Sequence, residues 1–225
     1  MRTEFFGDMQ NPNKAKLILI RGEGMDGVSF HLKAEQHIVG REGQLIFPDD
    51  PFVSPRHANF FYRRGKLVVR DEGSLNGVYI RIRGTVTIEP GATLLAGEQL
   101  FRLELCEDLA DDGPDPDGTS FYGSPRKDAR FQLCQIFRGG VRGLTVQASG
   151  VSMTIGRDGA DLNFPEDIYM SAEHCRIDEM AGGFTLTDLD SQNGTFVRIV
   201  GERELNHGEY LFIGRKLLRV ELNTN

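Results

Sequence analysis

Residues 51–80, PFVSPRHANFFYRRGKLVVRDEGSLNGVYI, are written a second time at 168–197, as IYMSAEHCRIDEMAGGFTLTDLDSQNGTFV. Ser54, His57 and Asn76 answer Ser171, His174 and Asn193, each at an offset of 117 residues. The pairs Asn76-Gly77 and Asn193-Gly194 keep the same register, and Thr195 follows the second. Upstream, Gly40-Arg41 answers Gly156-Arg157 at an offset of 116. The missing residue falls between Arg41 and Phe47-Pro48, which answers Phe164-Pro165, where a surface loop absorbs a deletion. The chain therefore holds two copies of one module with the same polar set in each.

Short apolar runs punctuated by Gly, Asn, Asp and Pro extend outward from these motifs. Leu17 to Ile20, Val28 to Leu32 and Gln36 to Val39 read as strands, with the glycine-rich RGEGMDG between the first two. Ala58 to Tyr62 answers Cys175 to Glu179, Lys66 to Arg70 answers Gly183 to Thr187, and Val78 to Ile82 answers Thr195 to Ile199. Gly65 and Gly182 sit where a hairpin turn needs a positive backbone angle. Gly91 to Leu105 answers Gly208 to Leu222, a last strand expected to close its own module. No helical period is sustained over three turns. The expected fold class is all-β, two β-sandwich domains joined by an acidic linker. The expected division is a disordered tail at 1–15, a first domain at 16–106, a Pro/Gly linker at 107–129 and a second domain at 130–225.

The net charge of −7 is unevenly placed. Residues 1–106 carry 14 Lys/Arg and 13 Asp/Glu, 107–118 carry six acids and no base, and 119–225 carry 12 bases and 14 acids. Like charges and prolines make the stretch EDLADDGPDPDG a self-repelling, extended linker. Neither module has the clustered positive surface that nucleic-acid binding needs, so no nucleic-acid partner is expected. Any phosphate must be held by a few placed groups. Cys106, Cys134 and Cys175 form no Cys-x-x-Cys pair, and three cysteines cannot all pair within one chain. A reducing compartment follows. With no secretory core at the N-terminus and no run long enough to span a bilayer, the expectation is a cytoplasmic protein without a membrane partner.

Loops at one end of a sandwich converge, so residues distant in sequence meet there. An arginine fork suits a phosphate, a serine hydroxyl adds a short neutral bond, and an asparagine amide grips a peptide backbone. Ser-x-x-His also occurs in hydrolases, but no local motif supplies an orienting acid or an oxyanion hole, so no enzyme is expected. His174-Cys175 lacks two further ligands at metal spacing, so no metal and no cofactor are expected, and the cysteines read as small core residues.

Both copies resemble the forkhead-associated (FHA) family, whose signature is Gly-Arg, Ser-x-x-His and Asn-Gly in successive loops. The resemblance covers roughly 16–105 and 130–223. It implies an eleven-stranded sandwich that binds phosphothreonine peptides at its loop end, without catalysis. By that resemblance Arg157 and Ser171 hold the phosphate, Asn193 clamps the peptide backbone and Gln192 reaches the ligand. Gly156 lets the chain turn so that Arg157 faces outward. His174 holds the Ser171 loop, and Gly194 and Thr195 shape and tie the turn. In the first copy the ligand set is Arg41, Ser54 and Asn76, with Gly40, His57 and Gly77 as the structural motif. The basic residue usual after the motif serine is replaced by Pro55 and Ala172, and Leu75 and Val78 further weaken the first copy. The implied function is a phosphothreonine-binding adaptor in Ser/Thr kinase signalling, with the second domain the better binder. Its partners would be phosphothreonine-containing proteins, Ser/Thr kinases or their substrates. The alternative is a scaffold or oligomerisation protein in which one or both domains no longer read phosphate.

Overall fold

A computed structural model describes residues 15–21, 27–106, 113–124 and 129–222. The expected tail up to residue 14, the glycine-rich turn at 22–26, and 107–112 and 125–128 of the acidic stretch lie outside the described residues. The first copy forms β1 (Lys16–Arg21), β2 (Ser29–His31), β3 (Gln36–Gly40), β4 (Leu45–Ile46) and β5 (Ala58–Arg63). It continues through β6 (Lys66–Asp71), β7 (Val78–Arg81), β8 (Thr85–Ile88), β9 (Thr93–Ala96) and β10 (Gln99–Leu105). The second copy forms β11 (Phe131–Ile136), β12 (Arg142–Gln147), β13 (Ser152–Gly156), β14 (Leu162–Asn163) and β15 (Cys175–Met180). It ends with β16 (Gly183–Asp188), β17 (Thr195–Arg198), β18 (Glu202–Glu204), β19 (Tyr210–Ile213) and β20 (Lys216–Glu221).

These strands make two compact units, and the chain is interleaved between them. Unit 1 comprises 1–80 together with 199–225, and unit 2 comprises 81–198. In unit 1 the strand orders are β7-β19-β20-β1-β2 and β18-β6-β5-β3-β4. In unit 2 they are β12-β11-β10-β9-β17 and β14-β13-β15-β16-β8. Each unit is a β-sandwich of ten strands among the described residues, where the resemblance implied eleven.

The contiguous division at 16–106 and 130–225 is thereby corrected. Sequence similarity identifies which segments correspond, but not which copy's strands pair. Here each unit takes its last three strands from the other copy. Strand β19 pairs with β7 (Leu211 opposite Ile80, Ile213 opposite Val78), and β9 pairs with β17 in the matching register (Leu94 opposite Val197, Ala96 opposite Thr195). The acidic stretch does not join two domains either. It connects β10 to β11, which pair antiparallel within unit 2. Its described part folds back between Asp115 and Thr119, with the Asp115 N–H donating to the Thr119 carbonyl at 2.9 Å.

Alternating apolar side chains fill both interiors. Leu17, Leu19, Phe60, Val69, Leu211 and Leu218 are buried in unit 1. Phe101, Leu103, Phe131, Met153, Ile155 and Leu186 are buried in unit 2. Gly65 takes its turn at φ +79°, but at the matching hairpin the positive angle falls on Gly183, at +145°, and not on Gly182.

Candidate functional site

In unit 2 the turn after β13, the loop before β15 and the turn between β16 and β17 are bonded to one another. The Arg157 N–H donates to the Ser171 carbonyl at 2.8 Å, fixing the base of an exposed arginine. Gly156 is needed for contact more than for turning. Its φ is not positive, and a Cβ there would overlap the Ala172 carbonyl oxygen. The corresponding Cβ at Gly40 would overlap the carbonyl of Pro55.

His174 is 0% exposed, and both ring nitrogens are used. Its Nδ1 accepts the Ser171 N–H at 3.1 Å, which leaves the proton on Nε2, 3.2 Å from the Gly194 carbonyl. Burial pushes its pKa down, partly opposed by the Gly194 bond and by Asp188 and Asp167, so the neutral ring is the folded form. In unit 1 His57 accepts the Ser54 N–H at 3.0 Å and lies 2.9 Å from the Gly77 carbonyl.

Two bonds aim the polar set. The Gln192 N–H donates to Ser171 Oγ at 3.1 Å, and the Leu75 N–H to Ser54 Oγ at 3.2 Å. With one lone pair taken by that N–H, each serine keeps its O–H to donate. Asn193 Nδ2 donates to the Tyr169 carbonyl at 2.9 Å, and Asn76 Nδ2 to the Phe52 carbonyl at 2.8 Å. The amide oxygen then faces the other way, ready to accept an N–H. Each site thus offers an arginine fork and a hydroxyl as donors, with one amide oxygen as acceptor. Gln192 and Leu75 are both exposed, and Leu75 is 85% exposed.

The structure adds residues that the motif reading missed. Asp188 Oδ1 accepts from Ser191 Oγ and from Thr195 Oγ1, both at 2.6 Å, bracing the Asn193 turn. In unit 1 Val78 lacks that hydroxyl. There the Gly77 N–H donates to Ser74 Oγ at 2.9 Å, and the Ser74 N–H to Asp71 Oδ1 at 2.9 Å. The serine-bearing loops are held from below by buried Asp50 and Asp167, 1% and 4% exposed. Asp50 accepts the Phe52 N–H at 3.0 Å and the Arg215 N–H at 2.9 Å. Asp167 accepts the Tyr169 N–H at 3.0 Å, the Glu98 N–H at 2.7 Å and Gln99 Nε2 at 2.8 Å. Each loop is therefore clamped by the β9–β10 or β19–β20 hairpin of the other copy. Gly97 and Gly214 turn those hairpins at φ +58° and +57°, and a Cβ on Gly97 would come within 2.6 Å of Asp167. The signal was in the sequence, since Asp50/Asp167, Asp71/Asp188, Ser74/Ser191 and Gly97/Gly214 all repeat at the offset of 117. Arg81 of unit 2 reaches the same turn, its Nη2 3.4 Å from the Ser191 carbonyl.

The cysteines are free thiols, with Cys134 and Cys175 buried and Cys106 half-buried. Burial pushes the Cys175 thiol up to about 12, so it stays protonated and weakly nucleophilic. Among the described residues no cluster of three His, Cys, Asp or Glu is placed to hold a metal, and no helix is long and apolar enough to cross a membrane.

The FHA-domain family model matches residues 37–97 and 153–214, more than half of the chain, and the chain belongs to the FHA-domain family. FHA domains are phosphothreonine-binding modules of protein–protein interaction. The chain is 33% identical over 103 residues to an oxoglutarate dehydrogenase inhibitor of Corynebacterium diphtheriae, covering 44% of this chain and 71% of that one. The corresponding inhibitor of Corynebacterium efficiens is 34% identical over 95 residues, 41% of this chain and 66% of the relative. The FHA domain-containing protein FhaB of Mycobacterium tuberculosis is 25% identical over 108 residues, 46% of this chain and 69% of FhaB. The matches thus span about two thirds of each relative's length. A solved structure from work on phosphothreonine-dependent FHA domain interactions covers 94% of this chain and 98% of its own, at 12% identity and a TM-score of 0.37.

Proposed function

We propose that this chain is a non-catalytic cytoplasmic adaptor that reads phosphothreonine peptides in Ser/Thr kinase signalling, through Arg157, Ser171, Gln192 and Asn193 and through Arg41, Ser54 and Asn76. One observation carries the reading. In both units a backbone N–H takes one lone pair of the serine hydroxyl and a backbone carbonyl takes the asparagine amide N–H, which leaves the hydroxyl proton and the amide oxygen for a ligand. A phosphate brings about −1.5 to −2 charges and three acceptor oxygens, which the arginine fork and hydroxyl suit, and the asparagine oxygen takes a peptide N–H. Toward peptides with uncharged flanks the unit 2 site is the tighter one, because Asp188 braces its turn through both Ser191 and Thr195. The oxoglutarate dehydrogenase inhibitors among the relatives suggest that the partner is an enzyme whose activity changes on binding.

Arginine as a charged hydrogen-bonding partner contributes about 1.5–3 kcal/mol. In a chain whose first site is disabled by Arg41→Ala, adding Arg157→Ala should weaken binding of a phosphothreonine peptide roughly ten- to a hundredfold. Fluorescence anisotropy with phosphorylated and unphosphorylated forms of one peptide measures this. Equal affinities for the two forms in the parent chain would remove the proposal and leave the scaffold reading.

A further inference from the structure

The two sites share a polar set, but they stand in opposite electrostatic surroundings. Counted over the described residues, unit 1 carries 13 Lys/Arg against 10 Asp/Glu, and unit 2 carries 9 against 14. Solvent screens charges beyond roughly 8 Å at physiological salt, so the side chains beside each site decide the effect. Two corresponding positions reverse sign. Arg56, two residues past Ser54, answers Glu173, two past Ser171. Arg215, on the hairpin that clamps the unit 1 loop, answers Glu98, on the hairpin that clamps the unit 2 loop.

Backbone bonds to Asp50 and Asp167 place Arg215 and Glu98 on the clamping hairpins, and Arg56 and Glu173 lie in the serine loops themselves. The Arg215 guanidinium lies 5.5 Å from the centre of the Phe52 ring, and the Phe52 carbonyl holds Asn76. Its side chain is 47% exposed, with Nε 3.7 Å from Asp50. Buried Asp50 offsets part of that charge. In unit 2, however, the corresponding carboxylate, Asp167, takes the backbone N–H of an acid, exposed Glu98. Arg56 is 64% exposed and only 3.9 Å from Glu72, whose nearer partner is Arg70 at 2.6 Å. Along the asparagine loop Glu72-Gly73 answers Leu189-Asp190, one acid in each, and Arg81, which reaches the unit 2 turn, answers Arg198, so these positions keep their charge between the copies.

We infer that Arg56 and Arg215 make the unit 1 site select phosphothreonine flanked by acidic residues, whereas Glu173 and Glu98 make the unit 2 site reject them. The inference rests on the phosphothreonine reading above. It makes the doubled site a pair of readers of unlike peptides, with the selecting charge supplied in part by the other copy's hairpin.

The test uses the full chain and three synthetic peptides of one length, each with a single phosphothreonine flanked on both sides by Asp/Glu, by Ala or by Lys. Arg157→Ala leaves the unit 1 site to report, and Arg41→Ala leaves the unit 2 site. Exposed charge pairs are worth little individually, so unit 1 should favour the acidic over the basic peptide about three- to tenfold, and unit 2 the reverse. The difference should shrink in 0.5 M salt. Arg215→Glu should abolish or invert the unit 1 preference, Arg215→Gln should reduce it without placing a new acid beside Asp50, and Glu98→Arg should weaken or invert that of unit 2. The same preference at both sites, or preferences untouched by these changes while the peptides still bind, would overturn the inference alone. Failure of every phosphopeptide to bind the folded chain would overturn the phosphothreonine reading and the inference with it.

Discussion

His174 shows how one side chain can join two loops without meeting a ligand. Its Nδ1 takes the Ser171 N–H and its Nε2 meets the Gly194 carbonyl, so the serine loop and the asparagine turn depend on one neutral ring. The sign of the pH effect follows from burial. The folded pKa lies below the ordinary histidine value of about 6.5, so the unfolded chain takes up a proton first as pH falls. The contribution is complete above about pH 6.5 and is lost as pH drops from there toward the folded value, at no more than about 1.4 kcal/mol per pH unit. Urea unfolding at pH 7.5 and pH 5.5 should therefore show a larger loss for the parent chain than for His174→Asn, which has no ring to protonate. Equal losses would mean that other groups dominate the acid response.

At the level of strands, pairing across the copies has a physical cause in two short edge elements. Strand β18 lies against β6 with Glu202 opposite Arg70 and Glu204 opposite Val68. Glu202 meets Arg63 at 2.6 Å and Arg70 at 3.6 Å, while Glu204 meets Lys66 at 2.6 Å. Arg63 holds the Glu202 carboxyl below its usual pKa range. The corresponding strand of the first copy, β8, is uncharged and pairs instead with threonine-bearing β16, where Thr85 and Thr187 hydroxyls lie 2.9 Å apart. Opposite charges and Thr–Thr pairs across strands are favourable, so each edge strand has the better match in the other copy. Replacing Glu202 and Glu204 together by lysine should lower the thermal midpoint slightly, more at low salt than at high. Adding Arg63→Glu and Lys66→Glu should restore it. A midpoint that ignores both changes would show that the apolar register alone chooses the partner.

At the level of the whole molecule, interleaving changes what the acidic stretch can do. Because it links β10 to β11 inside unit 2, cutting it does not release two domains. Each fragment would supply strands to both units, 1–80 and 199–225 to one, 81–106 and 130–198 to the other. A protease site placed within 113–124 should give two fragments that co-elute by size exclusion under native conditions and separate only in denaturant. Fragments 1–106 and 130–225 made singly would each lack the three strands with which the other copy closes its sandwich, and would have only their own β8–β10 or β18–β20 to close it. They should unfold at a lower denaturant concentration than the pair mixed together. Clean separation of the nicked chain under native conditions would overturn this picture.

The sequence by itself determined the module, its duplication and the polar set, because strand alternation, turn residues and motif spacing are local and are read along the chain. It also carried the buried Asp50 and Asp167, but nothing local showed that these acids face backbone N–H groups 165 residues away in one case and 69 in the other. Only the tertiary structure decided which copy closes each sandwich. Two copies of similar sequence offer nearly equivalent strands at every edge, and the choice rests on register and charge pairs formed only when distant segments meet. The same folding puts Arg215 beside one site and Glu98 beside the other, so the charge around each loop end belongs to the fold and not to the repeat.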